Sequence, residues 1–177
     1  MTGQDFVEIL NATITGIVQA DTNNDNNGDA PLGGVTITLL DENDLPVATT
    51  TTNPDGSYSF PNVLPGDYTV VQTDLTGYVS LTPNEVAVSL PPGGSAFVPY
   101  VDEQLGTITG IVDADTTGNG TGDTPLSNVT VTLKDENGND IDSDPNTPGV
   151  QPTTTTTAPD GSYSFEDVPP GNYTVVE

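Results

Sequence analysis

The sequence contains no cysteine, no histidine and no tryptophan, and it sets one basic residue against 26 acidic ones in 177. Each shortage excludes something. Without cysteine there are no disulfides, so a small domain needs another staple, and a structural metal is one. Without histidine, cysteine or a grouping of arginine with lysine, the usual acid–base and nucleophilic constellations cannot be built. No glycine-rich phosphate loop lies between a strand and a helix, and an enzyme is not expected. A net charge of −25 repels phosphate, which excludes nucleic acid as an electrostatic partner and disfavours anionic membrane surfaces. It favours bound cations. There is neither a signal peptide nor an apolar run long enough to span a bilayer, so no membrane insertion is expected. The chain reads as a mature fragment, or as one lacking its export signal.

What is present points to strands. Val, Ile, Leu, Tyr and Phe occur in short alternating runs, and no segment has convincing helical spacing. The pattern predicts strands at 13–18, 35–40, 47–52, 57–60, 67–73, 85–90 and 96–101. Pro54-Asp55-Gly56 suits a tight hairpin turn, and Leu64-Pro65-Gly66 and Pro91-Pro92-Gly93-Gly94 read as loops. Val35, Ile37 and Leu39 fall on one face of their strand, with Thr36 and Thr38 on the other. Tyr58, Phe60, Tyr68 and Val70 are core candidates by the same alternation. Seven short strands in about 90 residues make an antiparallel sandwich with a single core.

The pattern then repeats. Thr13 to Val18 returns as Thr107 to Val112, Val35 to Leu39 as Val129 to Leu133, and Asp41-Glu42-Asn43 as Asp135-Glu136-Asn137, at an offset of 94 residues. From Pro159 the offset is 105, so the second copy carries 11 additional residues around Asp142 to Gln151. The second copy stops before the equivalents of the last two strands. Residues 5–9 resemble 96–100 and read as the closing strand of a preceding copy. The expected organisation is therefore all-β: a strand at 1–10, a first sandwich at 11–103 and a second, incomplete one at 104–177. Partners are neighbouring repeats or copies of the chain, and residues 5–10 of one molecule could complete the open edge of another, head to tail.

Two stretches fit neither strand nor helix. Asp21 to Asp29 has side-chain oxygens at its first, third, fifth, seventh and ninth positions: Asp21, Asn23, Asp25, Asn27 and Asp29. Asp115 to Asp123 keeps the alternation with Asp115, Thr117, Asn119, Thr121 and Asp123, but with two carboxylates instead of three. Carboxylates about 4 Å apart repel by roughly 4 kcal/mol per pair at an effective dielectric of ~20. A hard cation relieves that repulsion, and alternating Asp and Asn is how one loop wraps Ca²⁺. A disordered polar linker is the alternative for a single loop, but a linker has no reason to keep the alternation twice.

Taken together, the Gly-hydrophobic-Val strand, the D-x-N-x-(D/N)-x-x-G-D loop, P-L-x-x-V-T-V-T-L, D-E-N, the threonine run, D-G-S-Y-S-F and P-G-x-Y-T-V-V resemble the SdrD B-like repeat. That repeat belongs to the Cna-B-like, transthyretin-like (prealbumin-like) sandwiches of bacterial surface proteins. The resemblance implies two tandem seven-stranded Ig-like or prealbumin-like sandwiches, stabilised by Ca²⁺ and used outside the cell as stalk, fibre or filament. It also implies that Asp41 and Asp135, after the second strand, approach the ions, and that Asn27 and Thr121 contribute backbone carbonyls. Here Ala30 and Thr124 stand where the family often has a Glu, so each site lacks a carboxylate, and copy two should bind more weakly. The Lys–Asn isopeptide bond common in Cna-B-like pilin domains is not expected. Lys134 is the only lysine, and following inward-facing Leu133 it should point outward. A binding module for protein or carbohydrate in a surface adhesin is the other function considered, with Tyr78 and Tyr100 as possible exposed aromatics.

Overall fold

The computed structural model describes residues 8–141 and 153–177. No helix occurs among them, so none is long and apolar enough to cross a membrane. In chain order the strands are β1 (Ala12–Asp21), β2 (Ala30–Pro31), β3 (Thr36–Leu40), β4 (Pro46–Thr51), β5 (Ser57–Val63), β6 (Gly66–Thr73), β7 (Tyr78–Ser80), β8 (Glu85–Leu90), β9 (Ser95–Phe97), β10 (Tyr100–Gln104), β11 (Gly106–Ile111), β12 (Asp113–Ala114), β13 (Thr124–Pro125), β14 (Thr130–Lys134), β15 (Thr154–Thr156), β16 (Ser162–Val168) and β17 (Thr174–Val176). They form two compact units, Met1–Gln104 and Leu105–Glu177. Most of the closing strand expected at 5–10 and the insertion at 142–151 lie outside the described residues, and residues 8–10 form no strand.

In unit 1 one layer is the antiparallel sheet β4-β3-β6-β8. The facing layer is built on the ten-residue β1, which changes partners along its length. Its first half pairs with β5 and β9, and its second half with β2 and β10. The period-2 pattern sends Ile14, Val18 and Ala20 inward from β1 to meet Val35, Ile37, Leu39 and Val70 of the other sheet. Tyr58, Phe60, Val98 and Tyr100 complete this core. Tyr68 and Tyr78 pack at its margin.

Two details depart from the sequence pattern. β9 and β10 run parallel to β1, not antiparallel, from Ser95 beside Thr13 to Glu103 beside Asp21. The chain leaves β8 in the other sheet and re-enters alongside β1 in the same direction, and the ladder breaks at Pro99, which has no N–H to give. The turn at Pro54–Gly56 is tight, with Gly56 N–H donating to the Asn53 carbonyl at 2.8 Å and Gly56 at φ 77°. It does not make a hairpin, because β4 belongs to one sheet and β5 pairs with β1 in the other.

The threonine run ends in a buried hydroxyl. Thr52 Oγ1 accepts from Val35 N–H at 3.0 Å and donates to the Leu32 carbonyl at 2.8 Å. Thr157 repeats the arrangement with Val129 and Leu126 in unit 2.

Unit 2 keeps the first part of this plan: β11 with β16, β12 with β13, and β15-β14-β17. Its core is small, with Val131, Leu133, Phe165 and Val168 buried. Lys134 follows buried Leu133, stays partly exposed and pairs with Asp140 at 2.5 Å. Among the described residues unit 2 has no counterpart of β7 to β10, and β11 pairs with β16 only. Ile111 is 66% exposed in consequence.

Candidate metal centre

The loop after β1 folds back over the outward face of that strand. Asp29 N–H donates to the Ala20 carbonyl at 2.8 Å, and Gly28 lies so close to Gln19 that a Cβ there would strike its side chain. Asp21 is the organising residue. Its Oδ1 accepts from the N–H groups of Asn23 (3.0 Å) and Asn24 (2.8 Å), and its Oδ2 from that of Asn26 (2.6 Å). Burial pushes its carboxyl up, but these backbone donors outweigh burial and hold it below the usual carboxylate range. Asp29 accepts from Thr22 N–H at 3.0 Å and from Asn23 Nδ2 at 3.1 Å. Asp25 accepts from Asn27 N–H at 2.9 Å, and Asn27 Nδ2 donates back to the Asp25 carbonyl. The result is that one carboxylate oxygen from each of Asp21, Asp25 and Asp29 lies within 4.8 Å of the others.

The even positions of the loop have a separate job. Asn24 and Asn26 take left-handed backbone, φ 62° and 64°, which turns successive N–H groups toward Asp21. In the second loop Gly118 and Gly120 take the same conformation, φ 74° and 81°. Asn and Gly are the residues that tolerate it best. Alternation in the sequence therefore has two causes: oxygens at odd positions and permissive backbone at even ones.

The second loop is built alike. Asp115 accepts from the N–H groups of Thr117, Gly118, Asn119 and Gly120, at 2.6 to 3.3 Å. Donation from Gly120 and its neighbours holds its carboxyl low. Asp123 accepts from Thr117 Oγ1 at 2.9 Å, and Thr121 Oγ1 bonds to Asn119 Oδ1. This loop has no third carboxylate, and Asp115 is exposed where Asp21 is 1% exposed. The difference follows from β10, which flanks Asp21 and has no equivalent among the described residues of unit 2.

Asp41 and Asp135 do not approach these loops, contrary to what the resemblance implied. Asp41 accepts from Asn43 and Leu45 N–H at 2.9 and 3.0 Å, closing its own turn, and it faces Pro65, Gly66 and Asp67. Those residues follow Val63, which pairs with Ala12 at the start of β1. Asp21 ends the same strand, about 30 Å away at ~3.3 Å per residue. Asp135 likewise closes its own turn with Asn137 and Asn139.

The sequence pattern also missed two acids. Glu103 of β10 stands in register with Asp21 on the same outward face; it is 8% exposed, and its Oε1 has no hydrogen-bond partner. Burial, and then the charge of Asp21, push its carboxyl up. Asp102, pointing inward, is fully buried and accepts from Gln72 Nε2 at 2.6 Å with both oxygens, tying the two sheets together. Neither was legible, because each is some 80 residues from the loop and is aligned with it only by the β1–β10 register.

Residues 12–89 match the model of the SdrD B-like domain, and residues 116–177 that of the prealbumin-like fold domain. The chain is 36% identical over 166 residues to serine-aspartate repeat-containing protein D of Staphylococcus aureus strain Newman. Residues 12–89 are therefore an SdrD B-like domain, and residues 116–177 a prealbumin-like one. The alignment with the staphylococcal protein takes in 84% of this chain and only 12% of that one. Colossin-A of Dictyostelium discoideum is 31% identical over 176 residues, covering 89% of this chain and 1% of its own length. Among solved structures, a streptococcal ancillary pilin superposes with a TM-score of 0.51 at 20% identity, over 94% of this chain and 53% of that one. The Bacillus anthracis TIE protein gives 0.50 at 21%, over 94% and 28%. At such identities the likeness concerns the fold alone.

Proposed function

We propose that the chain is a calcium-stabilised structural module of an extracellular stalk, matrix fibre or filament. The observation that carries this reading is the convergence of Asp21, Asp25 and Asp29, with oxygens within 4.8 Å of one another. Oxygens that ligate Ca²⁺ at about 2.3–2.6 Å stand up to roughly 5 Å apart across the ion, so this spacing is that of a coordination sphere. The flexible, many-oxygen geometry suits Ca²⁺ better than the smaller, strictly octahedral Mg²⁺. Unit 1 holds the tighter site, since the second loop has one carboxylate fewer. Calorimetric titration of metal-stripped protein with CaCl₂ is expected to show saturable binding dominated by one site, and Asp25→Asn is expected to weaken it by at least ~10-fold. A flat titration would remove the reading.

The aromatics favour this reading over a carbohydrate-binding module. Tyr58, Phe60, Tyr100 and Phe165 are buried, and Tyr68, Tyr78, Tyr163 and Tyr173 pack against the cores. Among the described residues only Phe97 is an exposed ring, too few for a stacking platform.

In the same reading, assembly is head to tail. Among the described residues β11 lacks the strand that β9 and β10 supply to β1, and residues 5–10 of a second copy, whose sequence resembles 96–100, would supply it. Deleting residues 2–10 is expected to abolish filaments in electron micrographs. Unchanged polymerisation would remove this mode of assembly and leave the calcium reading intact.

A further inference from the structure

We infer that Glu103 is a ligand of the divalent cation held by the Asp21–Asp29 loop, so that the ion bridges the loop to the last strand of unit 1. The inference rests on the calcium reading of that loop and adds a residue 74 positions beyond its last acid.

Three observations carry it. Glu103 and Asp21 are register partners on adjacent parallel strands, and partners in such a ladder point to the same face. That face is the one over which residues 22–29 fold. Glu103 is more than nine-tenths buried, and one of its carboxylate oxygens, Oε1, is buried with no hydrogen-bond partner. A buried carboxylate oxygen without a partner is costly, and one beside a second carboxylate more so. The chain offers no counter-charge of its own. Its one basic residue, Lys134, is in unit 2 and is paired with Asp140. A cation drawn from solution is what remains, and two further acid groups, Asp25 and Asp29, already converge beside Asp21 to hold it.

The placement has a mechanical sense. β1 and β10 lie side by side and run the same way, with the chain entering at Ala12 and leaving at Gln104 toward unit 2. Tension between those ends slides the two strands past each other, loading their hydrogen bonds together. An ion that ligates Asp21 at the end of β1 and Glu103 at the end of β10 resists that sliding.

The test compares wild type with Glu103→Gln, in EDTA and in excess CaCl₂, by thermal melting and by calorimetric titration. Gln keeps the shape and removes the charge. In EDTA the variant is expected to melt above wild type, because the unpaired charge beside Asp21 is gone. In calcium the order is expected to invert, with Ca²⁺ affinity reduced ~10-fold or more. The cooperative melt in EDTA reports that the variant folds. If wild type responds to calcium and the variant responds identically, Glu103 is a protonated structural group and the inference falls while the loop reading stands. If wild type does not respond at all, both fall.

Discussion

Gly16→Ala is expected to lower the melting temperature of unit 1 by roughly 15–30 °C. Gly16 faces Tyr58 across the β1–β5 pair, and the Tyr58 ring occupies the space where a side chain would begin. A Cβ at that point would overlap both the ring and the Val98 carbonyl oxygen. The ring cannot swing aside freely. Its Oη donates to that carbonyl at 2.7 Å, and it packs against Phe60 and Tyr100. Either the aromatic leaves the core or β9 and β10 move off β1. Displacing a buried aromatic costs about 3–5 kcal/mol, a large share of the ~5–15 kcal/mol that holds a domain together. Each kcal/mol is worth about 4–8 °C in a domain of this size. Gly110→Ala is the internal control. Gly110 faces Tyr163 in the same way, but that ring is partly exposed and, among the described residues, unit 2 has no counterpart of Val98 over it. Its ring can turn outward, and a loss near 1 kcal/mol is expected. Calorimetric melts of the two variants decide the matter. Equal shifts would show that crowding by β9 is not what makes Gly16 necessary.

Removing calcium is expected to have the second largest effect. An ion that binds the folded loop but not the unfolded chain adds about 2.7 kcal/mol at 100 times its Kd. For unit 1 that corresponds to a fall of roughly 10–20 °C on transfer to EDTA. The transition of unit 2 should move less, because its loop has two acids and an exposed Asp115. With a net charge of −25, any added salt will stabilise the fold somewhat by screening. The comparison therefore needs NaCl at matched ionic strength. Coincident melts in calcium, in EDTA and in matched NaCl would dispose of the metal and leave an acidic β-rich spacer.

Together these two expectations separate what holds the sandwich shut from what closes its loop. The interior depends on close contact between Gly16, Tyr58 and the β9–β10 segment, and needs no ion. The loop end depends on charge. Asp21 already collects three backbone donors, so the loop has its shape before any cation arrives, and an ion has only to neutralise carboxylates that are in place. Such preorganisation lowers the ordering cost of binding.

The sequence by itself determined the strands, the repeat, the inward faces and both oxygen-rich loops. These are local matters. Val35, Ile37 and Leu39 alternate because a strand's side chains alternate, and Asp21 to Asp29 bends because Asn and Gly accept left-handed backbone where oxygens must converge. Only the tertiary structure decided which end of the sandwich each acid occupies. Asp41 follows a strand lying in the opposite sheet and ends far from Asp21, although the family pattern placed it near the ion. Glu103 is distant in the chain yet is brought beside Asp21 by a parallel register that alternation cannot specify. A repeat of apolar residues fixes which face of a strand is buried. It carries no information on which strand lies next to it or in which direction that neighbour runs, because those follow from how two sheets share one core.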